Sequence, residues 1–105
     1  MDITSIPPVE AIRGIPLEVV YRYREAATGA VDLRTWTISA QVTKQGKEVF
    51  RRSLSGTEYG EIVVAFSADD LEMLRGPHVE IFITLIAPMP ELSDAWRGAV
   101  VVRGA

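Results

Sequence analysis

His78 is the only histidine, so acid–base or nucleophilic work near neutral pH would have to use it or a pair of carboxylates. It stands between Pro77 and Val79, where an apolar run begins, which is a structural position more than a catalytic one. A Ser–His pair would have to recruit the same residue. Ser67 is better read as a helix cap, and the chain has no Gly-x-Ser-x-Gly elbow. A metal centre on His78 would need several carboxylates around it, because there is no cysteine to supply thiolates. Asp69, Asp70 and Glu72 are clustered but lack the alternating ligands of a calcium loop. Their place at a helix start, where the dipole favours negative charge, accounts for them. Gly56 and Gly60 are spaced as turn residues, not as a phosphate-cradling G-x-G-x-x-G. No catalytic, cofactor-binding or metal-ligating residue is assigned, no cofactor is expected, and the chain reads as a non-enzyme.

The remaining candidates are contact residues. Nine of the eleven basic residues are Arg, whose planar fork favours bidentate and stacked contacts. Arg22 and Arg24 lie two apart on one outward strand face, and Arg51 and Arg52 are adjacent. Tyr59 and Trp96, with Tyr21 and Tyr23, are of the kind that buried contact patches favour beside Arg, and they serve equally well in a core. Pro7-Pro8 stiffens an extended N-terminal segment and removes two backbone donors. That segment is either a short edge strand or an arm packed on a neighbour, anchored by Ile3 and Ile6. The candidate interface set is therefore Ile3, Ile6, Pro7, Pro8, Arg22, Arg24, Arg51, Arg52, Tyr59 and Trp96.

What must position these residues is a set of strands. Trp36, Ile38, Ala40 and Val42 alternate with Thr37, Ser39, Gln41 and Thr43. Period two marks a strand with one buried and one wet face, with Trp36 as the expected core anchor. Pro16 to Arg24 carries Leu17, Val19, Tyr21 and Tyr23 on one face, and Glu25 to Ala30 is a loop. Gln45-Gly46 predicts a hairpin into a strand from Glu48 to Leu54. Ile62, Val64 and Phe66 alternate in a further strand whose outer face is also fairly apolar, so partial cover on both sides is expected. Ser67 followed by Asp70 is a capping box that opens a helix of about two turns, with Leu71 and Leu74 on one face and Gly76-Pro77 as its stop. Val79 to Ile86 is the most apolar strand and is placed centrally; Ala95 to Arg103 follows a Pro-bearing loop.

At 105 residues the chain is sized for one domain, and 48% apolar with 24% charged residues is ordinary globular composition. Short connections predict antiparallel neighbours. The expected fold is all-β, an immunoglobulin-like antiparallel sandwich of six to seven strands with one short helix. Residues 1–12 are expected as an extended arm and residues 13–105 as the sandwich. A formal net charge of −3 argues against nucleic acid as a partner. No apolar run reaches membrane-helix length, so no membrane partner is expected. The start of the chain lacks the basic and apolar regions of a signal peptide.

In order along the chain stand Arg13-Gly14, the run from Val31 to Val42, the run from Gly60 to Leu71, and Gly98-Ala99-Val100-Val101-Val102. In this order the chain resembles the small immunoglobulin-like sandwich modules of tailed-phage virion proteins, such as the N-terminal domain of phage baseplate upper proteins. It departs from them at Gly76-Pro77-His78-Val79, where relatives usually carry Gly-x-Tyr. The resemblance implies a structural protein made in the host cytoplasm and found in the virion, as a tail or baseplate component or a capsid decoration protein. Its implied partners are other virion proteins and further copies of itself in a symmetric array. The alternative is a stand-alone module that binds carbohydrate or a host surface protein.

Overall fold

The computed structural model describes residues 3–25 and 29–104 and consists of two facing sheets, with one short helix at their flank. The loop expected from Glu25 to Ala30 falls partly outside the described residues, and at its described ends it is a short ladder instead, Glu25 paired with Gly29 and Arg24 with Ala30. The N-terminal strands are β1 (Ile3–Ser5) and β2 (Val9–Ile12); β3 (Leu17–Arg22) follows. Two short pieces, β4 (Arg24–Glu25) and β5 (Gly29–Ala30), pair with each other. Then come β6 (Thr37–Lys44), β7 (Lys47–Leu54), β8 (Glu61–Phe66), α1 (Ala68–Met73), β9 (Val79–Ile86) and β10 (Asp94–Arg103).

The larger sheet has the order β1-β10-β9-β6-β7, with β2 continuing β1 along the same edge of β10. The smaller sheet is β3 paired antiparallel with β8. The chain crosses between the sheets before β3, β6, β8 and β9, so the two layers form a β-sandwich. The alternating residues of β6 and β9 are register partners: Ile38 lies opposite Leu85, Ala40 opposite Ile83 and Val42 opposite Ile81. All six are buried and meet Ile62, Val64 and Phe66 of β8 in one core. β9 is central, as its composition predicts. The β6–β7 hairpin turns at Gln45-Gly46 with φ of 52° and 81°, the left-handed pair of a type I′ turn, which explains the glycine.

Four expectations change. The sheet is mixed, because β1 and β2 run parallel to β10. Two strands can lie side by side in parallel without a crossover helix when they come from opposite ends of the chain. Residues 3–12 are accordingly the edge strand of the larger sheet and no detached arm; Val9 and Ala11 are core residues. Trp36 is half-buried, and the fully enclosed residue near it is Leu33. The outer face of β8 is bare: Val63 is 42% exposed.

α1 begins as the capping box predicts. Ser67 Oγ accepts from Asp70 N at 3.0 Å, and Ser67 N donates to Asp70 Oδ2 at 2.8 Å. Leu71 and Leu74 are buried in the core. Asp70 is also the partner of Arg52. On β7, Phe50, Arg52 and Leu54 lie opposite Val42, Ala40 and Ile38, so Arg52 projects on the core side of its strand. Its guanidinium donates to Asp70 Oδ2 at 2.8 Å, to Asp70 Oδ1 at 2.5 Å and to the Ala65 carbonyl at 3.2 Å, and lies over the Phe50 ring at 4.2 Å. One side chain thus ties the last strand of the larger sheet to the β8–α1 junction of the other layer.

Those hydrogen bonds from Arg52, with the Ser67 amide, hold the Asp70 carboxyl at about 2, below its ordinary 3.8. A carboxyl lowered on folding adds stability that is complete above its unfolded value and is lost as pH falls through the folded one. Urea midpoints of the parent chain should therefore fall from about pH 5 to pH 2, by the order of 2 kcal/mol from this group. The Asp70→Asn variant should show a flatter profile over that window. Equal slopes for the two chains would remove Asp70 from the acid response.

Candidate docking site along the N-terminal strand

The outer edge of the N-terminal strand is open to solvent, and its inner side meets a cleft. β1 and β2 are two segments of one strand, broken at Pro7-Pro8. Ile3, Thr4 and Ser5 pair with Ala95, Trp96 and Arg97; Val9 to Ile12 pair with Val100 to Arg103. The register shifts by one residue between the segments, so Thr4 and Ile6 point inward before the prolines, and Val9 and Ala11 after them. Proline suits this bulge because it has no N–H to offer the ladder. Ile6 N donates to Arg97 O at 2.9 Å and Arg13 N to Arg103 O at 2.7 Å, which pins both ends. Ile6 packs over Gly98. A Cβ there would come within 2.8 Å of Ile6 Cγ1, so the glycine is a notch cut for that side chain.

Between this strand and β3 lies a cleft of about 360 Å³, lined by Thr4, Ile6, Pro7, Trp96, Asp94 and the run Tyr21 to Arg24. Its floor is aromatic. Tyr23 stacks on Trp96 at 6.1 Å and 19°, Tyr21 meets Trp96 at 6.0 Å, and Tyr23 meets Trp36 at 5.3 Å. Trp96 Nε1 donates to Asp94 Oδ2 at 3.2 Å. Tyr21 Oη is buried without a hydrogen-bond partner among the described residues, and burial pushes its ionisation up.

Five of the ten residues singled out in the sequence line this cleft: Ile6, Pro7, Arg22, Arg24 and Trp96. Trp96 is 7% exposed and belongs to the core, contrary to its reading as a contact residue. Arg22 is exposed, with Glu61 at 3.5 Å, and Arg24 is exposed in β4. Pro8 is exposed beside Pro7. Ile3 is exposed on the outer face at the start of β1. The others lie apart. Arg51 points away from the core and pairs with Glu48 at 3.0 Å, whereas Arg52 is committed to Asp70, so the two do not form one surface patch. Tyr59 is 66% exposed on the turn before β8.

A second feature escaped the sequence reading. Ile86, Met89 and Leu92 are exposed on or beside the β9–β10 connection, and Ile3 lies on the same end, opposite Ala95. Their spacing through a Pro-rich loop has no period to betray a common surface. His78 takes a φ of 59° and lends its carbonyl to Gln45 N, a structural use. Among the described residues no three His, Asp or Glu side chains gather as metal ligands, and no helix is long and apolar enough to cross a membrane. Comparison with family models, with curated proteins and with solved structures finds no match to this chain.

Two outcomes follow. Tyr21→Phe removes an unpaired buried hydroxyl, so stability should hold or rise by about 1 kcal/mol in urea denaturation. A loss of that size would instead show the hydroxyl to be bonded. Gly98→Val fills the notch and should cost about 1–3 kcal/mol. Amide exchange should quicken over residues 3–6, and unchanged protection there would show that Ile6 does not depend on the notch.

Proposed function

We propose that this chain is a non-enzymatic structural protein of a tailed-phage virion, a tail, baseplate or capsid-surface component that works through protein–protein contacts. The resemblance to phage sandwich modules supports the setting. The observation that carries the mode of action is the exposed apolar end formed by Ile3, Ile86, Met89 and Leu92 beside an unpaired strand edge. Clustered apolar side chains on a soluble surface mark contact sites, and a free edge can add a strand from a neighbour. A sandwich closed by a core and by the Arg52–Asp70 tie presents both features rigidly. In a symmetric particle, repetition turns modest contacts into a stable assembly.

The test is association with particles. Particles made with the gene in its native context are sedimented and probed for the chain, which should be found in the particle fraction. The double variant Met89→Asp, Leu92→Asp changes exposed side chains and should leave stability within about 0.5 kcal/mol. It should nevertheless be lost from the particles. A parent chain that stays in the soluble fraction would overturn the virion reading. A double variant retained on particles would move the contact away from this end.

A further inference from the structure

We infer that the N-terminal strand is exchangeable, and that residues 3–12 of one copy occupy the β10 edge of a second copy in the assembled state. The inference deepens the proposed mode of action and rests on it. The occupant is named by the site itself. The Gly98 notch is shaped for Ile6, and the inner side of the edge is completed by Val9 and Ala11, both 3% exposed. Leaving this edge empty would expose the core between β10 and β3, so an edge that has lost its own strand selects another with the same pattern. The chain has one segment of that pattern, and every copy carries it.

The segment is also built to be released. The three side chains of β1 are all exposed, so before the prolines backbone pairing and the one side chain of Ile6 hold the strand. Pro7-Pro8 keeps a freed strand extended, which lowers the entropy lost on rebinding to either edge. The only covalent tie from β2 to β3 is the turn at Arg13 to Pro16, closed by one backbone bond, Ile15 N to Ile12 O at 3.1 Å. Arg13 also donates to Glu72 of α1 at 2.9 and 3.1 Å, an exposed pair that either copy's helix can supply. Opening this turn and extending it lets the strand leave its own sheet. The closed and exchanged forms then share nearly all contacts, so the balance is set by local concentration and by the turn, and particle assembly raises the first.

The chain has no cysteine, which allows a direct test on purified protein. Ile3 and Ala95 are register partners across the parallel pair. Chains carrying only Ile3→Cys and chains carrying only Ala95→Cys are mixed at millimolar concentration and oxidised. Exchange predicts a disulfide-linked dimer joining position 3 of one chain to position 95 of another. Its yield should exceed that of Ile3→Cys mixed with Val63→Cys, which lies on the remote outer face of β8. Ala11→Cys with Val102→Cys repeats the test at a pair far from the apolar end, because docking of two such ends would join positions 3 and 95 without exchange. Equal yields with the remote position, or no dimer from either pair, would overturn the inference. Because the cross-link is read on purified protein, its failure leaves docking through the apolar end standing. Absence of the chain from particles likewise leaves the cross-link result intact.

Discussion

The two sheets are unequal, and that inequality governs the structure. Two strands, β3 and β8, must cover the inner face of a sheet that spans five strand positions. They cannot do so alone. Helix α1 covers one flank with Leu71 and Leu74, the loop before β6 contributes Leu33, and the N-terminal strand brings Val9 and Ala11 to the other edge. Each of these supplements must be held in place by something other than a continuous sheet.

On the α1 flank the holding device is charged. Asp70 is nearly enclosed and spends both oxygens on Arg52 and the Ser67 amide. Asp70 is the enclosed partner and Arg52 is 40% exposed, so losing the guanidinium would leave a buried carboxylate unpaired, the costlier loss. The value of the arrangement is geometric. A bidentate Arg on an inward strand position, meeting a carboxylate already fixed by a capping box, admits one placement of the helix. The surface pairs, such as Arg97 with Glu80 and Arg51 with Glu48, have no such leverage in high dielectric.

At the β10 edge the device is steric. Ile6 sits in the notch at Gly98, and a proline pair absorbs the change of register along β10. The two supplements are thus held differently, α1 by a charged, hydrogen-bonded network and the N-terminal strand by one fitted side chain and backbone pairing.

Alternation in β6 and β9, the type I′ hairpin at Gln45-Gly46 and the Ser67–Asp70 cap were legible because each depends on residues within a turn or a strand of one another. The same rule held the clue to Arg52: Phe50, Arg52 and Leu54 alternate, which puts Arg52 on a different face from Arg51. Charge type outweighed period in reading both as contact residues. Pro7-Pro8 left the N-terminal segment open between an edge strand and an arm by breaking its alternation, and the alternation that puts Trp96 with Gly98 and Val100 on the core face was outweighed by residue type. The sequence by itself determined β3 and β6 to β10, the helix start and the absence of thiol chemistry, since these follow from local sterics, capping and composition. Only the tertiary structure decided that residues 3–12 run parallel to β10, that Arg52 meets Asp70, and that Ile3, Ile86, Met89 and Leu92 share one end. Those are meetings of distant segments, and which segments meet is settled by how the whole chain covers its core.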